Sequence, residues 1–242
     1  MIFLTLFLFS IIVGYPVWDY FYMKKVNNNL IHKWRIYWQT MATQWILVII
    51  FLTYWFLTKH SFNDLFFIKS SLFSFQTEDI LAIGLGIGIS IVMLVLIGYF
   101  SKKIRSKMAA VLADESIQFL IPKTFVDRLL FLFVAITAGF CEEIIFRGAM
   151  LYYLSNLSYD LSIITIGIIS SMLFGIIHLY QGWKGVLQTT YVGGVLFLLF
   201  VGTGNLWIPI VLHFIIDVKF VFLPNIKNAD SNSDIYTQSD KY

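Results

Sequence analysis

The sequence predicts an all-α polytopic transmembrane helix bundle of about seven spans, and three observations carry that prediction. Hydrophobic residues fill 59% of the 242 positions and charged residues only 13%, where a soluble domain carries about 25% charged. Mean hydropathy is correspondingly high, at +0.80. Apolar stretches close to the ~20 residues that cross a hydrocarbon core recur along the whole chain, separated by loops that differ in their Lys and Arg content.

Taken in order, the first expected span covers roughly 2–22 and opens on "MIFLTLFLFSIIVGY". It has neither a basic leader nor a small-residue cleavage site, so a retained membrane anchor is expected. The loop 23–40 carries Lys24, Lys25, Lys33 and Arg35, and the second span follows at 41–58. The next loop, 59–78, holds only Lys59 and Lys69 before a third span at 79–100. Residues 101–128 are again basic, with Lys102, Lys103, Arg105, Lys107, Lys123 and Arg128. The fourth span, 127–155, is long enough to begin as an interfacial helix, because "IPKTFVDRLLF" alternates polar and apolar positions. Spans at 161–180, 185–203 and 206–223 complete the set, joined by turns at 156–160 and 204–205 without Lys or Arg. The positive-inside rule then places the N-terminus outside and the C-terminus in the cytoplasm of a multi-pass cell-membrane protein.

This order divides the chain into N-terminal helices and loops (1–126), a helix core (127–223) and a polar tail (224–242). The tail's "NADSNSDIYTQSDKY" has the composition of a disordered segment. The net charge of +3 arises from basic residues beside apolar spans, which points to a lipid bilayer and not to nucleic acid as the partner. One cysteine, Cys141, excludes an intramolecular disulfide framework, and it reads as a core residue. Gly84 and Gly88, and Gly167, Ser171 and Gly175, recur four apart, the interval at which small residues let helices approach closely in lipid.

Against this apolar background, ionisable residues at membrane depth are expected in three places: Glu142, Glu143 and Arg147 in "CEEIIFRGAM", His178 in "SMLFGIIHLY", and His213 with Asp217 in "NLWIPIVLHFIID". A charge at a span centre costs about 2.5–3.5 kcal/mol on insertion scales, so three spans carrying such groups ask for a reason. Glu143 and Arg147 are four apart and share a helix face. Glu142 lies about 100° further round, free to project toward another helix. His213 and Asp217 are also four apart, so Asp217 can orient the imidazole or join it in one pocket; Phe174 stands one turn before His178, as an aromatic wall. Convergence of these groups would form a site built by the C-terminal four helices.

A carboxylate with two histidines among apolar walls suits hydrolysis, the carboxylate acting as general base on a water. The histidines can ligate a metal or donate to a developing oxyanion. Two histidines and a glutamate leaving one position open form a known catalytic zinc arrangement, so Glu142, His178 and His213 are candidate ligands for Zn²⁺. The contiguous H-E-x-x-H signature is absent, and a metal-free mechanism stays open.

The run "EEIIFR", then "FGIIH", then "HFIID" resembles the CPBP intramembrane proteases, which include CAAX-prenyl endopeptidases and bacteriocin-processing or immunity (Abi) proteins. Their pattern of E-E-x-x-x-R, F-x-x-x-H and H-x-x-x-N spans roughly 127–217 here. The resemblance implies that Glu142 activates the attacking water with help from His178. His213 and the residue four later would stabilise the reacting carbonyl, while Glu143 and Arg147 support the site. Asp217 stands where many of these peptidases have Asn, so it would have to be protonated, orient His213 or help hold a metal. The expected activity is endopeptidase cleavage of a membrane-associated peptide or protein, in peptide maturation or bacteriocin processing. Richness in Ile, Phe, Lys and Asn hints at an AT-rich bacterial genome and favours peptide maturation over a prenylated substrate. Two other readings stand beside it: a non-catalytic immunity or adaptor protein of the same fold, and a proton-coupled transporter using the buried acids and histidines as a relay.

Overall fold

The computed structural model describes residues 1–27, 32–69 and 121–222, together with the isolated helical positions Glu78, Ala82, Gly86 and Met93. Most of the expected third span, the basic loop before residue 121 and the polar tail lie outside the described residues. Among those described, the architecture is all-α, and helices alone build it. They are α1 (Ile2–Phe9), α2 (Tyr15–Asn27), α3 (Lys33–Leu57), α4 (Phe62–Phe66), α5 (Phe125–Glu143), α6 (Met150–Ser155), α7 (Ile163–Ile176), α8 (Gly182–Thr203) and α9 (Trp207–Val218).

Helices α1 and α2 form one rod, joined by a π-helical segment at Ser10–Gly14. Pro16 supplies no N–H to the ladder, and a wider turn just upstream absorbs that loss. The rod runs antiparallel to α3, since Phe3 stacks on Tyr54 and Phe7 on Phe51.

Thr124 starts α5 with a capping box. Its hydroxyl accepts the Asp127 N–H, while the Asp127 carboxylate accepts the backbone N–H groups of Thr124 and Lys123. The other Asp127 oxygen accepts from the Trp34 indole at 2.8 Å, which ties the start of α5 to the start of α3. Tyr37 meets Phe131 further along, and Trp45 reaches both Thr137 and Phe140. The pairs advance together, so α3 and α5 run parallel. The stretch "IPKTFVDRLLF" leads into the capped beginning of one continuous apolar rod, Phe125–Ser155, with a π-helical segment at Ile144–Ala149 inside it.

Helix α9 lies antiparallel on α5, and Gly139 makes that approach possible. A Cβ there would stand 3.0 Å from the Phe214 nitrogen and 3.1 Å from the Ile210 carbonyl oxygen. Gly175 plays the same part between α7 and α8, where a Cβ would meet the Thr190 hydroxyl at 1.9 Å. The small-residue interval Gly167, Ser171, Gly175 therefore faces α8, as its spacing suggested.

Among the described residues, four helices are long and apolar enough to cross a membrane: Ile2–Met23, Lys33–Leu57, Phe125–Ser155 and Leu179–Thr203. Two of the seven expected spans are shorter than the hydropathy suggested. Helix α7 has 14 residues and α9 has 12, about 21 and 18 Å at 1.5 Å per residue, against a hydrocarbon core of ~30 Å. Hydropathy runs on through the turn after α7, whereas the backbone leaves the helix there. His178 has φ −96 and ψ 20, Leu179–Gln181 form a 3₁₀ turn, and Gly182 takes φ 74.

Gly139→Val should overpack the α5–α9 contact and destabilise the fold by about 1–3 kcal/mol. A thermal or SDS-titration unfolding curve of the detergent-solubilised protein that coincides with wild type would refute this account of the helix pair.

Candidate active site

The centre of the site is the junction where α5 passes into its π-helical segment. Glu143 is the last α-helical residue and Arg147 lies within the wider turn. Their side chains are 0% and 1% exposed, and Arg147 Nη1 donates to Glu143 Oε1 at 3.0 Å. The guanidinium also donates through Nη2 to the Gly193 carbonyl of α8 at 2.9 Å. Its face lies over the Phe174 ring of α7, 4.7 Å from the centroid. One cation thus braces three rods.

Glu143 has a second task. Its Oε1 receives His213 Nδ1 of α9 at 2.8 Å. A carboxylate oxygen accepts and cannot donate, so the ring proton sits on Nδ1 and Nε2 faces the other way. His178 is held by the same logic: Nδ1 donates to the Phe174 carbonyl at 2.8 Å. Both imidazoles therefore turn Nε2 toward Glu142.

Glu142 projects from the neighbouring face of α5. Its Oε2 stands 3.7 Å from His178 Nε2 and 3.9 Å from His213 Nε2, and it is buried without a hydrogen-bond partner. Its Oε1 accepts from Gln44 Nε2 of α3 at 2.7 Å. Asp217 Oδ2 lies 3.6 Å from His213 Nε2 and, with 29% of its side chain exposed, is the most accessible member of the group. Phe174 walls the cluster, its centroid 4.8 Å from His178 and 5.9 Å from His213.

All seven residues singled out in the sequence thus meet in one place. Of the two places expected for Asp217, the structure shows the shared pocket, 3.6 Å from His213 Nε2; the carboxylate that orients His213 by a direct hydrogen bond is Glu143. Spacing along α9 suggested Asp217 because it considered one helix at a time. Two participants escaped the sequence reading. Gln44 was passed over because attention went to ionisable groups, although an amide in the apolar run "MATQWILVII" was a visible signal. Asp19 was missed as well. It is only 8% exposed, lies on α2 inside the Ile2–Met23 span, and sits within electrostatic reach of Tyr15 and Tyr180.

The donor set can be tested for a metal ion. Two Nε2 lone pairs and one carboxylate oxygen converge, each histidine being oriented by a hydrogen bond on its other nitrogen, as metal-ligating histidines are. In kind, these donors suit a divalent cation. In spacing they are wider than chelation: a tetrahedral zinc with bonds of ~2.0–2.1 Å places its ligands about 3.3 Å apart. No group of three or more His, Cys, Asp or Glu among the described residues stands close enough together to hold a metal ion. The observed 3.7 and 3.9 Å lie between that spacing and the ~4.5 Å that one water spans through two hydrogen bonds of about 2.8 Å.

Fold and site together define a class: a multi-pass helical membrane protein with a buried acid–imidazole cluster set among apolar walls. Residues 124–218 match the model of a family described as type II CAAX prenyl endopeptidase Rce1-like. The resemblance carried by the three motifs is borne out over that segment, which is similar to the peptidases of that family. No curated protein and no solved structure matches the chain.

Removing one half of a buried ion pair leaves the other half uncompensated, at a cost of about 3–5 kcal/mol. Arg147→Leu should therefore unfold at markedly lower SDS fraction than wild type, and the double variant Glu143→Leu/Arg147→Leu should recover part of the loss. Equal unfolding curves for wild type and Arg147→Leu would show that the pair does not brace the helices.

Proposed function

We propose that the protein is an intramembrane endopeptidase in which Glu142 activates a water to cleave a peptide bond of a membrane-associated peptide or protein. The observation that carries this reading is the unpartnered, buried Glu142 Oε2 facing two imidazole Nε2 atoms. A carboxylate oxygen left without a hydrogen-bond partner beside two oriented bases is costly as mere structure and useful as a proton acceptor.

The chemistry follows from the parts. Glu142 Oε2 takes a proton from the water as the water oxygen bonds to the substrate carbonyl carbon. The proton then passes from Glu142 to the amide nitrogen, the C–N bond breaks, and a carboxylic acid and an amine leave. His213 is fixed by Glu143 and His178 by the Phe174 carbonyl, so neither ring has to reorient during the reaction. Asp217, the more accessible acid, shares the Nε2 side of His213. Apolar walls from Phe174 and Phe146, whose rings meet edge to face at 5.1 Å, limit competing water.

If a divalent ion such as Zn²⁺ is resident, Glu142, His178 and His213 would hold it, and it would supply Lewis-acid polarisation of the carbonyl. Lys and Arg in the flanking loops support an orientation with the N-terminus outside, which opens the site toward the cytoplasm. Peptide maturation or bacteriocin processing is the biological setting this reading favours.

The deciding experiment compares membrane peptidomes of strains carrying wild-type and Glu142→Gln protein, followed by cleavage of the mapped peptide with purified enzyme. Loss of a general base costs about 10²–10⁴-fold in rate. Glu142→Gln should lose activity on that scale while keeping its unfolding curve; cleavage at the wild-type rate would sink the assignment. An unchanged cellular phenotype for both Glu142→Gln and His178→Ala would favour the non-catalytic adaptor. Elemental analysis of purified wild type and His213→Ala tests the metal: about one divalent ion per chain, lost in the variant, would show that the cluster contracts around an ion. Metal-free protein with full activity would remove the metal from the mechanism and leave Glu142 as base.

A further inference from the structure

We propose that Gln44 is a positioning residue for Glu142 and that its amide oxygen receives a backbone N–H of the substrate. The proposal rests on the peptidase reading above and extends it to a helix outside the matched segment, since Gln44 lies on α3 and the family match begins at residue 124.

Start with the hydrogen bond. Gln44 Nε2 lies 2.7 Å from Glu142 Oε1, at the short end for an N–H donor, as bonds to an ionised acceptor are. A carboxylate only accepts, so the NH₂ end of the amide must face it. That assignment settles the other end: the carbonyl Oε1 points elsewhere, and it is buried with no partner. Because it shares a carbon with the nitrogen that grips Glu142, it stands beside the reacting group. By holding one carboxylate oxygen, Gln44 fixes the rotation of the carboxylate and turns Oε2 to His178 and His213.

A plain helix brace would explain the first contact but not the second. The α3–α5 pair already has polar links at Trp34–Asp127 and Trp45–Thr137, with Trp45 stacked on Phe140 at 5.6 Å. Those links set the register of α3 and hold Gln44 opposite Glu142. A bracing amide would have no need of a buried, unmet carbonyl next to the site. An extended peptide whose scissile carbonyl sits over Glu142 Oε2 offers N–H groups within a residue of that bond, and one of them can satisfy Gln44 Oε1. An amide also suits this position because it donates to the base without adding a charge that would compete for its proton.

The test separates this inference from the peptidase reading. Infrared spectra of purified protein would compare wild type with Gln44→Met, using Glu142→Gln to mark the Glu142 carboxyl band. The band should shift when Gln44 is replaced, and an unmoved band overturns the proposal whether or not peptide is cleaved. Gln44→Met and Gln44→Asn should lower kcat on the mapped peptide about 10- to 100-fold, the size of effect that supporting partners of a site produce, with unfolding curves unchanged. An N-methyl scan of that peptide reads the second contact: wild type should reject a methyl on one nitrogen near the scissile bond, and Gln44→Met should be indifferent to it. Equal methyl sensitivity in the two proteins overturns the substrate contact. If the band shifts while Glu142→Gln cleaves at the wild-type rate, the peptidase reading falls and the substrate contact with it, but the Gln44–Glu142 bond stands.

Discussion

The Glu143–Arg147 pair is the constraint around which the rest is arranged. Both side chains are fully enclosed, and a membrane interior supplies no solvent to neutralise either, so each must find its partners within the protein. Arg147 meets that demand by reaching Gly193 and lying over Phe174. Glu143 meets it by receiving His213 on the same oxygen that holds the arginine. Helices α5, α7, α8 and α9 are thereby drawn to one point, and the histidine arrives with its proton already assigned.

Placing two carboxylates side by side in the chain separates two roles. Glu143 is consumed by structure, whereas Glu142, roughly a quarter-turn round the helix, keeps one oxygen free. The π-helical segment begins directly after them, where such segments tend to occur in functional sites. The break after α7 serves the same end. By leaving the helix at His178, the backbone lets the imidazole turn back onto the Phe174 carbonyl and present Nε2 to Glu142.

The N-terminal helices contribute more than a membrane anchor. Gln44 reaches the base from α3, and Asp19 and Tyr15 of α2 approach the same region beside Tyr180. The family match covers 124–218, so these contacts come from helices outside the matched segment. A parallel α3–α5 pair, registered by the Trp34 and Trp45 indole hydrogen bonds, carries the Gln44 contact.

Much of this was legible in the chain itself. Hydropathy sets the all-α membrane class, because apolar stretches of this length must satisfy their backbone internally. Four-residue spacing places Glu143 with Arg147, His213 with Asp217 and Phe174 with His178, because helical geometry is local. What spacing could not reveal is which helix stands opposite which. Gln44 and Glu142 are 98 positions apart and His213 and Glu143 are 70 apart, so no periodicity relates them. The shortness of α7 was hidden for a related reason: hydropathy records what lipid tolerates, while helix ends depend on where His178 and Gly182 must turn. Local rules therefore named the reactive groups. Only the packed helices decided which oxygen is held, which stays free, and which nitrogen faces it.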